Sequence, residues 1–335
     1  MNATIRDVAR EARVSVATVS RALNGTGNVA EAVRVRVLEA ATRLRYTPHA
    51  AARSLSSRRT QTLGVVLPDL HGEFFSELVR GIDLVARQHG LHLLVSSYHG
   101  HPDEQGAALR AMRGRVDGLL VLAPFADEAT LKAIAGSLSP LLPAVLINAG
   151  RDVPGYAALR VDNHGGAMAM VEHLAERGRG AIAFIAGPAD NVEAQERQRG
   201  YVDALARHRP GQPPWIVEGD FSEASGHRAA QVLLAATPPQ AVFAANDMMA
   251  LGCMFALAER GVRVPGEIAV AGFDDIPLAR YVRPSLTTMQ VDIAALGSRA
   301  ARRLLAQMHG EPDPGDDTVR PQLVVRDSTR SVEPP

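Results

Sequence analysis

The 335-residue sequence contains a single cysteine, Cys253, and no run of about 18 uninterrupted apolar residues. A lone cysteine excludes an intrachain disulfide, and its apolar neighbours indicate a small core residue. The missing apolar run predicts that no helix crosses a membrane. The N-terminus shows no charged cap ahead of an apolar stretch, so we expect no signal peptide and a cytoplasmic location.

The sequence also lacks the short motifs of common cofactor-dependent enzymes. Its histidines are scattered rather than placed at metal-ligand spacing, and no Gly-rich loop ends in Lys-Ser or Lys-Thr. Gly178-Arg179-Gly180 is predicted to be a loop after a helix. We therefore expect no metal, no cofactor and no enzymatic activity.

The formal net charge is zero, but the charges are unevenly distributed. Up to residue 60, eleven arginines stand against four acidic residues, so this segment carries +7 and the remainder carries −7. A compact basic block on a neutral protein is typical of a polyanion binder. Charge alone leaves a solvated basic surface as an equal alternative.

The basic block is predicted to form three short helices. Thr4 is placed to begin the first helix, with Asp7 three residues later, and Ser15 is placed to begin the second, which ends near Asn24-Gly25. A third helix is predicted from about Glu31 to Leu44. Two short helices joined by a tight turn and supported by a third form a helix-turn-helix arrangement.

On a helical wheel the second helix has two distinct faces. Val19, Ala22 and Leu23 fall on the side that can pack against the other helices, whereas Val16, Ala17, Ser20 and Arg21 fall on the opposite side. A helix in the major groove reads base edges with such exposed N-terminal residues, and an arginine can bond both acceptors of a guanine. An exposed arginine on an ordinary three-helix bundle is the alternative.

After the polar segment 56–62 the pattern changes to apolar strands alternating with helices. The predicted strands are Leu63–Leu67, Leu91–Val95, Gly118–Leu122, Ala144–Ile147, Ala181–Ile185, Ile216–Val217, Ala241–Ala244 and Ile268–Ala271. Helices are predicted between most of these strands, for example at Phe74–His89, Gly165–Arg177, Ser222–Leu234, Met248–Arg260 and Ile293–Met308. Alternation of this kind indicates parallel sheets covered on both faces, and the length favours two doubly wound lobes with a cleft between them.

Blocks along nearly the whole chain strongly resemble the lactose/galactose-repressor family of transcription regulators. The N-terminal blocks are Thr4–Ala9, Val14–Asn24, Arg36–Leu38, Tyr46–Pro48 and Ala52–Leu55. The later blocks are Leu67–Asp69 with Phe74-Phe75, Asp162-Asn163, Gly187-Pro188, Arg197–Tyr201, Ala245–Gly252, Gly272–Asp275 and Leu286–Thr288.

The resemblance implies an α/β chain with an N-terminal helix-turn-helix DNA-binding domain and a periplasmic-binding-protein-like effector domain. The boundaries we predict are 1–47 for the first domain, 48–61 for a hinge helix and linker, and 62–335 for the effector domain. Lobe one covers about 62–161 and 290–320, and lobe two about 162–289 and 321–330. The implied protein is a repressor of carbohydrate-utilisation genes that binds near-palindromic double-stranded operator DNA as a homodimer.

The resemblance also assigns candidate residues. Those for DNA binding are Thr4, Ser15, Val16, Ala17, Thr18, Ser20, Arg21, Asn24, Tyr46, His49, Ala52, Arg53 and Leu55. Those for a small, sugar-like effector are Asp69, Phe74, Phe75, Asn148, Arg197, Phe221, Asn246 and Asp274. We expect Arg197 and Asp274 to hold the effector from opposite sides of the cleft. Asn148 stands where the family frequently has Asp, which suggests an effector different from the best-known family ligands.

Two other classes of protein fit the sequence less well than a regulator does. A transport binding protein with the same lobes would need a signal peptide and has no use for a basic N-terminal block. An enzyme such as a sugar kinase would need a phosphate-binding loop that the sequence lacks.

Leu55 yields a prediction about operator binding. It follows an alanine-rich segment of under about 10 residues, too short to be a stable helix alone in water, and the resemblance places it as a wedge in the minor groove at the operator centre. Leu55→Ala should weaken binding to the operator far more than binding to random DNA, because only a bent specific site accepts the wedge. Equal losses on both DNAs in a fluorescence-anisotropy titration would rule the wedge out.

Overall fold

The computed structural model describes residues 3–24, 28–46, 59–99, 101–125, 142–149, 156–312, 315 and 317–330. The chain separates after Gln61 into two compact units. No helix among the described residues has the length and apolar character needed to cross a membrane.

The first unit contains helices α1 (Ile5–Ala12), α2 (Val16–Asn24) and α3 (Glu31–Arg43). Their buried faces meet in one small core around Val8, Val19 and Val37. The predicted helix starts are confirmed. The Asp7 carboxylate accepts hydrogen bonds from the backbone N–H of Thr4 at 2.9 Å and from its hydroxyl at 2.7 Å. Ser15 Oγ accepts one from the backbone N–H of Thr18 at 3.1 Å.

The described residues of the second unit form two six-stranded sheets. The first sheet has the order β11-β5-β4-β3-β1-β2, and its neighbouring strands all run parallel. Its strands are β1 (Thr62–Leu67), β2 (His92–Ser97), β3 (Gly118–Leu122), β4 (Ala144–Ile147), β5 (Ala157–Val161) and β11 (Asp317–Val319). Helices α4 (Glu73–Gln88), α5 (Pro102–Met112) and α10 (Ile293–Met308) belong with this sheet and form lobe one.

The second sheet has the order β12-β10-β9-β8-β6-β7. Its strands are β6 (Ile182–Ile185), β7 (Trp215–Val217), β8 (Ala241–Ala244), β9 (Ala269–Asp274), β10 (Thr287–Gln290) and β12 (Gln322–Val324). Strand β12 pairs antiparallel with β10, whereas the other pairs are parallel. Helices α6 (Asn163–Glu176), α7 (Val192–His208), α8 (Glu223–Ala235) and α9 (Asp247–Glu259) complete lobe two.

The chain crosses between the lobes after β5, after β10 and between β11 and β12. Two of these crossings are tied together, because the backbone N–H of Asp162 donates to the carbonyl of Val319 at 2.8 Å. Asp162 also begins α6 by accepting a hydrogen bond from the backbone N–H of Gly165. These two crossings are therefore held together at the junction of the lobes.

The expected two parallel-sheet lobes are confirmed, with differences in detail. Helices α5 and α7 and strands β5, β10, β11 and β12 were not predicted, because their sequences are short or rich in polar residues. Strand β2 runs from His92 to Ser97 rather than from Leu91 to Val95, because it pairs with β1 residue for residue along the whole of β1. Strand β9 continues to Asp274, so the Asp274 carboxylate lies at the carboxyl end of this strand.

Candidate functional site

Helix α2 has the two faces that its sequence predicts. Val19 is fully buried and Ala22 nearly so, whereas Val16 is 41% exposed and Ala17 and Arg21 are exposed. The Arg21 side chain lies along the helix, with Nε donating to the carbonyl of Ala17 at 3.3 Å. This contact is weak, so the guanidinium is free to turn towards a partner with two acceptors.

The remaining DNA-binding candidates fall into three groups. Thr4 and Ser15 are exposed next to the starts of α1 and α2, and Thr18, whose hydroxyl lies 2.9 Å from that of Ser15, is partly exposed. Ser20 and Tyr46 are partly exposed, and Asn24 is the last residue of α2. His49, Ala52, Arg53 and Leu55 lie outside the described residues.

The second unit has a cleft of about 260 Å³ between its lobes. Lobe one contributes the ends of β1 and β3 and the start of α4, and lobe two contributes the ends of β6, β8 and β9 and the start of α7. The carboxyl ends of parallel strands from both sheets therefore face the same space, where ligands of doubly wound folds bind.

The structure brings seven of the eight effector candidates to this cleft. The seven lining residues are Asp69, Phe74, Phe75, Arg197, Phe221, Asn246 and Asp274. Asn148 lies directly behind the lining, and its Nδ2 donates to Oε1 of the lining residue Glu193 at 2.7 Å. Glu193 was not predicted from the sequence.

Aromatic rings supply an apolar wall. Phe74 and Phe75 lie edge to face with ring centroids 5.5 Å apart, and both are partly exposed. Phe221 faces them from lobe two, and its ring packs so closely on Gly187 that a β-carbon there would overlap it. Rings in this arrangement suit the apolar face of a small ring-shaped ligand.

Asn246 positions Phe221 rather than pointing freely into the cleft. Its Oδ1 accepts from the backbone N–H of Met249 at 2.9 Å and begins α9, and its Nδ2 donates to the carbonyl of Phe221 at 3.0 Å. Both polar ends of this amide are therefore in use within the protein.

Arg197 forms the floor of the cleft with its guanidinium 3.9 Å above the ring of Phe273. Its Nε donates to Asn163 Oδ1 at 2.8 Å, its Nη1 donates to the carbonyl of Ala245 at 2.6 Å, and its Nη2 lies 3.1 Å from Asp274 Oδ1. The expected placement of Arg197 and Asp274 on opposite sides of the cleft is thus wrong. Strand β9 and helix α7 belong to one lobe, so the two side chains meet as an ion pair.

Two buried carboxyl groups share that guanidinium. Burial raises the pKa of Asp274 to about 6, although Arg197 opposes the shift. Burial raises the pKa of Glu193 to about 7, again against Arg197, whose Nη2 lies 3.7 Å from Glu193 Oε1. Asp274 Oδ1 is itself buried and lies next to Nη2 of Arg197.

Three of the effector candidates have left-handed backbone conformations. The φ angles are 52° at Asn148, 70° at Phe221 and 110° at Asp274. Such angles cost about 1–3 kcal/mol each for residues other than glycine, and they collect where ligands bind. The strain supports the assignment of this cleft as the binding site.

Glu193 was not predicted as an effector residue, because the residues around it in the sequence are polar. Helix α7 reads as a charged surface helix, and a glutamate in its first turn has an obvious role at a helix N-terminus. One signal in the sequence did point to Glu193: Arg197 follows four residues later, so the side chains of Glu193 and Arg197 lie on the same face of the helix. Within the described part of the chain, no group of three or more His, Cys, Asp or Glu residues is arranged to hold a metal ion.

Comparisons with known proteins agree with this architecture. Residues 4–49 match the description "Bacterial regulatory proteins, lacI family", and residues 171–329 match a periplasmic binding protein-like domain. The chain is 38% identical over 332 residues to the HTH-type transcriptional regulator GalR of Salmonella typhimurium, covering 97% of this chain and 96% of that protein.

Two solved structures extend the comparison. A lac repressor dimer bound to operator and the anti-inducer ONPF is similar with a TM-score of 0.89 and 30% identity, covering 99% of this chain and 100% of that chain. A complex of the transcriptional regulator CelR with cellobiose is similar with a TM-score of 0.69 and 29% identity, covering 97% of this chain and 99% of that chain.

The raised pKa of Glu193 leads to a prediction about pH and stability. Its carboxyl group has an ordinary pKa near 4.5 when unfolded and about 7 when folded, so the folded state binds more protons between these values. Its contribution to stability is therefore present below pH 4.5 and is lost as the pH rises to 7. Glu193→Gln, which is neutral throughout, should raise the midpoint of thermal unfolding at pH 8 by several degrees and change it little at pH 5.

Glu196→Gln is the matched control, since Glu196 is partly exposed on the same helix and pairs with Arg199. This variant should follow the wild-type pH profile. Parallel profiles for wild type and Glu193→Gln would show that Glu193 does not retain its proton in the folded state.

Proposed function

The chain belongs to the lacI family of bacterial regulatory proteins and is a DNA-binding transcription regulator rather than an enzyme, and we propose that it represses carbohydrate-utilisation genes under the control of a sugar-like effector. The observation that carries the proposal is the pairing of two features on one chain. One unit presents an exposed helix in an arginine-rich block, and the other encloses a cleft with polar and aromatic walls. The protein acts at nucleoid DNA in the bacterial cytoplasm.

Helix α2 is the proposed reading element. Arg21 is placed to bond a guanine, and the exposed Val16 and Ala17 can contact thymine methyl groups or exclude larger groups. We assign contacts to phosphates, which would fix the register of the helix, to the exposed Thr4 and Ser15 and the partly exposed Tyr46. The segment that includes His49, Ala52, Arg53 and Leu55 is the proposed hinge at the operator centre.

A homodimer on a near-palindromic operator is the proposed assembly. Lobe one exposes Leu84 and Val95, and lobe two exposes Phe255, Leu278 and Tyr281, the last of which is 71% exposed. These large apolar side chains are available to an interface between two copies of the chain. Two-fold pairing would also present two copies of α2, matching the two half-sites of a palindrome.

The proposed effector is a neutral polyol, such as a sugar or small glycoside. Phe74, Phe75 and Phe221 offer the apolar wall, and the carboxylates of Asp274 and Glu193 accept hydrogen bonds from hydroxyl groups. The donors of Arg197 are largely used within the protein, so the floor of the cleft has more free acceptors than donors. An anionic ligand would meet Asp274, Glu193 and Asp69, which disfavours phosphorylated sugars and nucleotides.

The experiment that tests the function combines two measurements on the full chain. Sequences selected from random DNA should define a near-palindromic site that withstands competitor DNA and weakens with salt. A thermal-shift screen with neutral sugars, including cellobiose, and with their phosphates should reveal the effector, and each hit should then alter operator binding. A chain with no preferred DNA sequence, or one stabilised only by phosphorylated sugars, would contradict the proposal.

Arg21→Ala tests the reading helix. Losing one paired contact to a guanine should cost about 1–3 kcal/mol per half-site and relax the preference at one base position. Arg10→Ala is the control, because it removes the same charge from α1, where the side chain is 80% exposed and pairs with Asp7. An Arg21→Ala variant whose selected site keeps every base preference would refute the assignment.

Asp274→Asn and Arg197→Ala test the effector site. Asp274→Asn should weaken effector binding by about 1.5–3 kcal/mol, since a hydrogen bond to a charged acceptor is lost with little change in shape. Arg197→Ala should nearly abolish binding, because it leaves buried carboxylates unpaired. Arg199→Ala, on the exposed side of the same helix, is the control. Wild-type affinity of either site variant in calorimetric titration of the identified effector would show that the site is misplaced.

A further inference from the structure

The floor of the cleft holds two acidic side chains for one basic side chain. The carboxylate oxygens of Asp274 and Glu193 lie 3.1 Å and 3.7 Å from Nη2 of Arg197. These side chains are 6%, 10% and 4% exposed, so water screens their charges only weakly. Among the described residues that line the cleft, Arg197 is the one arginine or lysine. The floor is therefore short of one positive charge when both carboxyl groups are ionised.

Arg197 cannot move to correct this imbalance. Its Nε donates to Asn163 Oδ1 at 2.8 Å, and its Nη1 donates to the carbonyl of Ala245 at 2.6 Å. Its guanidinium also stacks on the ring of Phe273. These contacts hold the guanidinium in one place. Further positive charge has to come from outside the protein chain, as a proton or as part of a ligand.

The exposed rim of the cleft adds no compensating charge to the floor. Asp220 is paired with Arg228 at 3.2 Å, and both side chains are more than half exposed. Asp69 Oδ1 accepts from the backbone N–H of His71 at 3.1 Å, and the exposed ring of His71 approaches Glu223 to 3.6 Å. Water and salt screen exposed charges of this kind. The charge of a ligand is therefore felt chiefly at the floor.

Near neutral pH a proton compensates for the missing charge. Burial raises the pKa of Glu193 to about 7 and that of Asp274 to about 6, and the negative charge of Asp274 adds to the shift at Glu193. Two carboxyl groups that share one guanidinium therefore share a proton as well. A cation bound beside them would take the place of that proton.

The aromatic walls favour a positive charge as well. Phe74, Phe75 and Phe125 line the cleft from lobe one, and Phe221 lines it from lobe two. The face of an aromatic ring attracts a cation, and the attraction grows where water is excluded. The same rings pack against the apolar face of a sugar. The walls and the floor thus suit a ligand that combines a sugar ring with a cationic group.

We propose that the cleft binds amino sugars, in which an ammonium group replaces one hydroxyl group, more tightly than it binds the corresponding neutral sugars. This deepens the proposed function, on which it rests, by naming a charged class of effector. The ammonium group supplies the missing positive charge and three hydrogen-bond donors for Asp274 and Glu193. The shared proton passes to solvent as the cation binds, so the floor is electrically neutral with either kind of sugar.

The test compares matched sugars by calorimetric titration of the full chain at pH 7. The parents are glucose, galactose, mannose and any neutral sugar found by thermal shift, each with its 6-amino-6-deoxy and 2-amino-2-deoxy derivatives. A 6-amino group stays protonated at this pH, as a lysine side chain does. In at least one pair the amino sugar should bind roughly 10-fold more tightly than its parent, a difference of about 1.4 kcal/mol.

Proton release distinguishes an effect of charge from a better fit. Titrations in buffers of different ionisation enthalpy should show release of about one proton per amino sugar near pH 6.5 and far less for the neutral parent. The preference for the amino sugar should grow as the pH rises from 5.5 to 7.5, because Asp274 and Glu193 lose their protons over this range. A preference that does not change with pH would contradict the role of the floor.

Glu193→Gln is the decisive variant, since it leaves one carboxylate for one guanidinium with little change in shape. Its preference for the amino sugar should fall close to parity, and the proton release should disappear. Glu196→Gln is the matched control, because it removes the same charge from the same helix outside the cleft, where Glu196 pairs with Arg199. The control should keep both the preference and the proton release.

The inference is overturned by no gain in affinity for the amino sugar in any pair, by an unchanged preference in Glu193→Gln, or by loss of the preference in the control. Operator binding and its response to neutral sugars are measured separately and decide the proposed function. A chain whose operator binding responds to a neutral sugar, but which gains nothing from the amine, would retain the proposed function and lose this inference. Tight binding of amino sugars without any effect of sugars on operator binding would support the inference and contradict the proposed function.

Discussion

The cleft depends on the contacts that the buried guanidinium of Arg197 makes. Arg197 is 3% exposed, stacks on Phe273 and binds groups that begin or end four different elements: Asn163 of α6, Ala245 between β8 and α9, Asp274 of β9 and Glu193 of α7. An unpaired buried guanidinium would be prohibitively costly, so these partners are required by the charge. In return, the arginine holds the carboxyl ends of the strands of lobe two in register.

The same charge balance determines what the cleft can bind. One guanidinium serves two buried carboxyl groups, whose pKa values are raised to about 6 and about 7 because burial outweighs the attraction of Arg197. A carboxyl group that keeps its proton near neutral pH can donate a hydrogen bond as well as accept one, so the floor can pair with hydroxyl groups in both directions. Ligands rich in hydroxyl groups satisfy such a surface, whereas anions add to its charge.

A second group of buried carboxylates has a structural role in lobe two. Asp247, at the start of α9, accepts from the hydroxyl of Thr288 at 2.6 Å and from the backbone N–H of Ile276 at 2.9 Å. Asp275 is paired with Arg326 at 2.6 Å, which ties the end of β9 to the C-terminal segment. Together these contacts fix the turn after Asp274 and therefore the direction in which that carboxylate points.

Local patterns in the sequence determined the three helices of the first unit, the exposed face of α2 and the alternation of strands and helices, whereas the resemblance to a known family supplied the effector candidates. The local features follow from capping and periodicity, which depend on neighbouring residues. The tertiary structure decided that Arg197 and Asp274 form an ion pair in one lobe, and that Glu193 reaches across to Asn148. Those contacts join residues 77 and 45 positions apart, and their partners depend on how two separately wound sheets face each other, which no local pattern encodes.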